Sequence, residues 1–269
     1  MKQALKKLVQ KTGLQRRHVE AARMFAERQA LATAPRARPR ERGRILCYHS
    51  VGQPEFGVND VAPARFRRHI ELALELGYRF VAPAEIAHNG GGPKDLAVSF
   101  DDALTTVLTE ADPILRAHNI PYTVFIVSEW SEQKLDWQKT AVLGWKQLEQ
   151  MRANGVELGS HSATHRDFGE IDLERAIGEF EQSRRTIESR LGFAPDVFAI
   201  PFGQSANWNA AADTAARAAG YSTIYAQAEE TRPPNTVPRT FVTHFDDDRI
   251  FKALLRGAYD RWEEWTWTY

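Results

Sequence analysis

The sequence has little of two things that would narrow its class: it contains one cysteine in 269 residues and no long apolar run. The single cysteine, Cys47, excludes an intrachain disulfide and any zinc site built from several thiolates. No apolar run approaches the roughly 18 residues that span a bilayer, so an integral membrane protein is not expected. The charged first residues also lack the apolar segment of a secretory signal. These absences favour a cytoplasmic protein that is at most peripheral to a membrane.

Positive charge is concentrated near the N-terminus, although the formal net charge of the chain is zero. Residues 1–44 hold 13 Lys and Arg against 3 Asp and Glu, whereas residues 45–269 hold 22 against 32. Loosely helical spacing of apolar residues over 2–32 predicts one or two amphipathic helices, and the Pro- and Arg-rich stretch 34–44 is typical of a linker. Two interpretations of residues 1–43 stay open: a solvated extension, or attachment to an anionic membrane surface or a protein partner. Nucleic acid is not expected as a partner.

Residues 44–269 are expected to form one domain, in which short apolar runs alternate with helical patterns. The predicted strands are 44–48, 79–82, 96–100, 122–127, 155–158, 197–200, 222–225 and 240–243. The predicted helices are 64–76, 103–118, 145–154, 173–191, 206–219 and 247–256. Such alternation is typical of an α/β fold with a mainly parallel sheet, either a barrel or an open doubly wound sheet. In both, functional residues gather at the carboxyl ends of the strands.

Two acidic residues, Asp101 and Asp102, directly follow the predicted strand 96–100. The chain leaves the sheet there and the predicted helix 103–118 begins, so both carboxylates lie where functional residues gather. One of them could cap the helix, because aspartate is a favoured N-cap residue. Capping explains one carboxylate only, and the second indicates another role.

Two histidines, His161 and His165, stand four positions apart after the predicted strand 155–158. On a helical turn this spacing directs both imidazoles towards one point. Two imidazoles with one carboxylate form the usual three-ligand set of a catalytic zinc or similar ion, with positions left for water and substrate. An isolated pair of this kind is more often structural, but its combination with the strand-end aspartates favours a metal site.

These two segments, in this order, resemble the signatures of the polysaccharide deacetylase family, the NodB homology domain of carbohydrate esterase family 4. The family's T/S-F-D-D segment is Ser-Phe-Asp-Asp at 99–102, and its H-S/T-x-x-H segment is His-Ser-Ala-Thr-His at 161–165. The resemblance extends over residues 44–256. It implies a distorted barrel of mainly parallel strands and helices. It also implies that Asp101 is the general base and that the ligands of a divalent metal ion, with zinc favoured, are Asp102, His161 and His165.

A third family segment, R-x-P-Y/F, matches only in part, since Ala199 stands where the family has arginine before Pro201 and Phe202. That arginine normally holds the catalytic aspartate. In lacking this arginine, the chain resembles a circularly permuted branch of the family that includes deacetylases of poly-N-acetylglucosamine. Arg239, just before the predicted strand 240–243, is the candidate replacement, with a surface salt bridge as the alternative. By the same resemblance the backbone N–H of Phe202, after Pro201, is expected to stabilise an oxyanion.

The permuted branch takes its catalytic histidine from the first strand of the domain, and His49 follows the predicted strand 44–48. His49 is therefore the preferred general acid. The alternative is His244, which follows the last predicted strand, near the position of the acid in non-permuted members. Either residue could instead be a hydrogen-bonded histidine at a strand end.

The resemblance implies a metal-dependent hydrolase that removes N-acetyl groups from an N-acetylated amino sugar in a glycan or saccharide precursor. Two alternatives stay open: the same chemistry on another amide or formamide, and a catalytically silent carbohydrate-binding member. Aromatic side chains could line a sugar-binding wall, although large aromatics also fill cores. The candidates for that wall are Tyr48, Trp130, Trp137, Phe202 and Trp208.

Overall fold

The computed structural model describes residues 16–33 and 40–263. The strands are short and mostly buried, as their continuous apolar runs predict. In chain order they are β1 (Arg44–Tyr48), β2 (Ser50–Val51), β3 (Asp60–Val61), β4 (Arg79–Phe80), β5 (Asp95–Phe100), β6 (Tyr122–Ile126), β7 (Glu157–Ser160), β8 (Val197–Ala199), β9 (Thr223–Tyr225) and β10 (Thr240–Phe241).

The α-helices lie between these strands and cover the sheet. In chain order they are α1 (Arg16–Thr33), α2 (Pro63–Glu75), α3 (Pro83–Asn89), α4 (Asp112–Ala117), α5 (Asp136–Ala141), α6 (Trp145–Ala153), α7 (Leu173–Leu191), α8 (Ala210–Ala218) and α9 (Asp248–Leu255). Local signals explain the clearest bounds: at α7, the Asp172 side chain accepts from the Arg175 N–H and Gly192 ends the helix with φ 70°. No helix of the described ranges is long and apolar enough to cross a bilayer.

Within the described residues the main sheet has eight strands in the order β10-β1-β5-β6-β7-β8-β9, with β4 pairing the start of β5. Its strand pairs are all parallel. The sheet curls towards closure, because the segment that ends in β10 also pairs with β9 through a bridge between Tyr225 and Val237. The prediction of an α/β, barrel-like fold of mainly parallel strands is confirmed. The carboxyl ends of β1, β5 and β7 therefore lie at the same end of the sheet.

One prediction, a helix over 103–118, is wrong at its start. Asp102 and Ala103 have φ of 68° and 49°, a left-handed conformation that an α-helix does not accommodate. The chain instead forms a π-helical turn at Val107–Ala111 before α4 begins. Pro113, at the start of α4, explains why the regular hydrogen bonding is interrupted just before it, since proline lacks the N–H that an interior position needs.

The N-terminal extension is helical, as predicted, over the part that the structure describes. Helix α1 does not form a solvated arm: Met24 is buried and Arg28 is only 1% exposed against the domain. Phe25 contacts the Phe245 ring edge to face at a centroid distance of 5.4 Å. The predicted helical and linker segments at 1–15 and 34–39 lie outside the described residues. Helix α1 is thus a packed element of the domain.

Candidate active site

The candidate residues lie together at the carboxyl end of the parallel sheet. Asp101 and Asp102 follow β5, whose neighbour β1 ends just before His49. Strand β7, separated from β5 by β6, ends just before His161. This placement follows from the parallel pairing, because all carboxyl ends lie at one edge.

Three side chains form a compact group of metal-ligand atoms. Among the described residues the carboxylate of Asp102 and the rings of His161 and His165 offer ligand atoms that all lie within 4.8 Å of one another. Asp102 Oδ1 is 3.7 Å from His161 Nε2 and 3.6 Å from His165 Nε2. The same oxygen is buried and has no hydrogen-bond partner in the described part of the chain. A buried acceptor facing two imidazole nitrogens fits a cation.

The protonation states of the two histidines also suit metal binding. Burial lowers the pKa of His161 to about 3 and that of His165 to about 4, so both rings are neutral near pH 7. His161 Nδ1 lies 2.8 Å from the Ala199 carbonyl oxygen and donates to it, which leaves the Nε2 lone pair directed at Asp102. Ala199, where the family has arginine, thus serves the site through its backbone.

Backbone strain is concentrated at this site. Asp102, Ser162, His165 and Phe202 have φ between 61° and 68°, in the left-handed region that residues other than glycine rarely adopt. Such conformations cost on the order of 1–3 kcal/mol each and persist where the surrounding structure holds them. Ser162 contributes to this support, because its side-chain oxygen accepts from the His165 N–H at 2.9 Å.

Asp101 is held by the arginine that the sequence offered as a replacement. Arg239 donates to both carboxylate oxygens, Nη1 to Oδ1 at 2.6 Å and Nη2 to Oδ2 at 2.9 Å, and neither side chain is more than 1% exposed. The Arg239 Nε also donates to the Ala226 carbonyl at 3.0 Å. Burial raises the pKa of Asp101, but the opposing effects, chiefly that of Arg239, are together larger. The net pKa therefore lies below the ordinary value, and the group is ionised.

The adjacent carboxyl group has the opposite shift. Burial and the neighbouring Asp101 raise the pKa of Asp102 to about 6. Asp101 has a guanidinium partner and Asp102 has none among the described residues. The two aspartates are therefore electrostatically distinct, and a cation at Asp102 would supply the charge that this carboxylate lacks.

The two candidate acids occupy different environments. His49 is buried, and its ring meets the Phe241 ring edge to face at 5.6 Å. Burial lowers the pKa of His49, while Asp102 and Asp101 act in the opposite direction. His244 is only partly buried, its Nδ1 lies 2.9 Å from the Gly57 carbonyl oxygen and its ring packs on Phe245. The geometry thus brings the two aspartates into the electrostatic environment of His49.

The segment after β8 forms part of the rim. Phe202 is 50% exposed, and its ring meets that of His165 edge to face at 4.7 Å. Pro201, which precedes it, is buried. Gly203 has φ 67°, and a Cβ there would lie 2.3 Å from the Gln227 Cβ, so only glycine fits this close approach.

Part of the expected aromatic wall is present. Trp130 stacks on His165 at 5.3 Å, and Trp137, which is 42% exposed, meets Trp130 edge to face at 5.2 Å. Together with Phe202 they form an apolar rim around the metal-ligand group. Tyr48 and Trp208 were expected in this wall but are core residues, because each is buried within an apolar cluster.

Sequence reasoning missed two residues beside Asp101 and His49. Cys47 Sγ lies 3.4 Å from Asp101 Oδ2, and the Phe241 ring packs on His49. Cys47 precedes His49 by two positions, so the alternation of side chains in extended backbone at the end of β1 could have indicated that both point to the same side. Phe241 had no comparable local signal, since its role depends on β10 pairing with β1.

A sequence model of the polysaccharide deacetylase family matches residues 88–224, just over half of the chain. The chain therefore belongs to the polysaccharide deacetylase family, and the predicted membership is confirmed. The matched region contains the aspartate and histidine pairs, whereas His49 and Arg239 lie outside it.

Known proteins share sequence or fold with this chain. YxkH of Bacillus subtilis (strain 168) is 22% identical over 166 residues, which are 60% of this chain and 56% of that protein, so the chain spans just over half of its length. The Streptococcus pyogenes deacetylase PplD in complex with acetate has a TM-score of 0.67 at 19% identity, over 80% of this chain and 98% of that one. IcaB from Ammonifex degensii has a TM-score of 0.67 at 22% identity, with the same coverage. At these identities the two structures show a shared fold.

Proposed function

We propose that this protein is a metal-dependent N-deacetylase that hydrolyses the acetamide of an N-acetylated amino sugar in a glycan or saccharide precursor. The observation that carries the proposal is the convergence of a three-residue ligand group with a buried, arginine-held carboxylate. The ligand group would be Asp102, His161 and His165, and the carboxylate is Asp101. The family provides the reaction class.

An amide is hard to hydrolyse because its carbon is a weak electrophile, water is a weak nucleophile and an amine is a poor leaving group. A divalent ion, with zinc favoured by two imidazoles and one carboxylate, supplies Lewis acidity towards the carbonyl and towards water when bound. Asp101 accepts the proton of the attacking water molecule. Arg239 keeps Asp101 ionised and fixes its orientation through two hydrogen bonds.

The leaving amine needs a proton, and His49 is the proposed donor. Its ring lies near two carboxylates that favour the protonated form, which opposes the effect of burial on its pKa. The backbone N–H of Phe202 is the proposed donor to the oxyanion. The exposed rings of Phe202 and Trp137 offer apolar faces on which a sugar ring can pack.

Acetate is the second product of the proposed reaction, and PplD has been solved with acetate. The experiment that tests the proposal measures acetate release from N-acetylated oligosaccharides and nucleotide sugars, with formamides and simple acetamides as competing substrate classes. We expect release from at least one saccharide, loss of release after chelation and recovery with Zn²⁺. Turnover of the non-sugar amides alone would contradict the sugar specificity, and metal binding without any turnover would contradict the enzymatic role.

A further inference from the structure

Helix α1 reaches the strand beside His49 through one buried side chain, Arg28. Its guanidinium pairs with the Asp246 carboxylate at 3.0 Å, and neither side chain is more than 1% exposed. Its Nη2 also donates to the Phe241 carbonyl at 2.9 Å. A buried arginine with two such partners fixes their relative position, because its donors form a rigid, planar fork.

The first connection from Arg28 to the site runs through β10. The Phe241 residue whose carbonyl accepts from Arg28 also packs its ring against His49, at 5.6 Å between centroids. Phe241 pairs in register with Cys47, two residues before His49. The backbone of the residue whose ring contacts His49 is therefore held both by its pairing in the sheet and by the hydrogen bond from Arg28.

The second connection runs through Asp246. Its carbonyl oxygen lies 2.6 Å from His69 Nε2, and His69 Nδ1 lies 3.1 Å from the Tyr48 hydroxyl. Tyr48 immediately precedes His49 in the chain. Arg28 thus contacts Phe241, which packs on His49, and Asp246, which is connected through His69 to Tyr48, the residue before His49.

His49 itself depends on this packing. Its Nδ1 is buried and has no hydrogen-bond partner among the residues that the structure describes. Histidines that act in catalysis are usually oriented by a hydrogen bond to one ring nitrogen. The ring of His49 instead packs against Phe241, and its backbone directly follows Tyr48.

From these contacts we infer that Arg28 is a positioning residue for His49, so that the basic N-terminal helix takes part in placing the general acid. This inference rests on the proposed function, in which His49 protonates the leaving amine. Loss of the forked contact lets Phe241 and the turn at Asp246 shift, and His49 shifts with them. A displacement of about 1 Å can reduce a positioned group's contribution by on the order of 100-fold.

The test compares Arg28→Met with Arg44→Met. Arg44 is a matched control, since it is also a buried arginine that pairs with carboxylates, those of Glu229 and Asp260, but it lies at the opposite end of β1 from His49. Turnover is measured on an N-acetyl oligosaccharide and on an activated acetate ester, whose leaving group needs no proton. Both variants are assayed below their melting transitions and at equal metal content.

We expect Arg28→Met to lower the amide-to-ester ratio by about tenfold or more, while Arg44→Met leaves that ratio unchanged. Arg28→Lys keeps a positive charge but cannot reproduce the fork, so it should give a smaller loss of the same kind. This variant also provides the test if Arg28→Met fails to fold. An unchanged ratio in the folded Arg28 variants, or an equal change in Arg44→Met, would overturn the inference.

A second measurement does not depend on turnover. The ring ¹H–¹³C resonances of His49, assigned with His49→Gln, are compared in the metal-free proteins. They should move in Arg28→Met and stay in place in Arg44→Met. If the wild type hydrolyses no N-acetyl saccharide, the proposed function is contradicted, whereas these resonances still decide whether Arg28 positions His49.

Discussion

The stabilising interaction between Arg239 and Asp101 can be tested without knowledge of the substrate. Both side chains are almost fully buried and are joined by two hydrogen bonds of 2.6 Å and 2.9 Å. The change Arg239→Met keeps most of the side-chain length and removes the charge. It leaves the Asp101 carboxylate buried without its guanidinium partner, which removes the interaction that lowers its pKa.

Removal of one partner from a buried ion pair destabilises a protein by about 3–5 kcal/mol. For a chain of this size, that range corresponds to a fall in Tm of about 6–20 °C. The control is Arg185→Met, because Arg185 pairs with Glu181 on the exposed face of α7. Such surface pairs contribute only about 0–1 kcal/mol.

Thermal unfolding of Arg239→Met, Asp101→Asn and the double variant measures this coupling. We expect the double variant to lose less free energy of unfolding than the two single variants lose in sum, by about 2 kcal/mol or more. The reason is that the double variant leaves no uncompensated buried charge. Additive losses, or a fall in Tm for Arg239→Met no larger than that for Arg185→Met, would refute the reasoning.

Two further predictions concern the acid and the pH dependence of stability. His49→Ala should lose most amide hydrolysis while it spares an activated acetate ester and metal content, and His244→Ala should be milder on amides; the reverse pattern would assign the acid to His244. Burial raises the pKa of Glu229, but the combined opposing effects, chiefly those of Arg44 and Arg40, are larger, so the net pKa lies below the ordinary value. The Glu229 carboxylate therefore stabilises the fold fully above its unfolded pKa, and this stability is lost as the pH falls through the folded pKa. Glu229→Gln should show a shallower loss of Tm on acidification than the wild type, and an unchanged slope would contradict this assignment.

Much of the fold was predictable because its strands are buried on both faces. Mainly apolar runs such as that of β5 stand out between helical patterns, and the caps of α7 mark its bounds to the residue. The helix predicted over 103–118 is wrong only at its start, because Ala103 takes a left-handed conformation, which alanine rarely adopts. That conformation belongs to the turn that presents Asp102, so no local propensity could indicate it.

The candidate site, like the fold, was predictable from the sequence only in part. The aspartate and histidine pairs are close in sequence to their strands, and their spacing identifies them. Arg239 contacts Asp101 across 138 positions; the family resemblance offered it as the replacement arginine, but no spacing within one sequence shows that contact. Arg28 is a stronger case, since its position in a basic helix suggests a solvated side chain, whereas Asp246 and Phe241 bury it.

The most direct test of the proposed metal centre measures metal content and turnover on the same samples of three proteins. Wild type should hold about one divalent ion per chain and release acetate. Asp102→Ala should lose both, because a ligand is removed, whereas Asp101→Asn should keep the ion and lose orders of magnitude in turnover, because the base is removed. A full complement of metal in Asp102→Ala, or near-normal turnover in Asp101→Asn, would contradict the account.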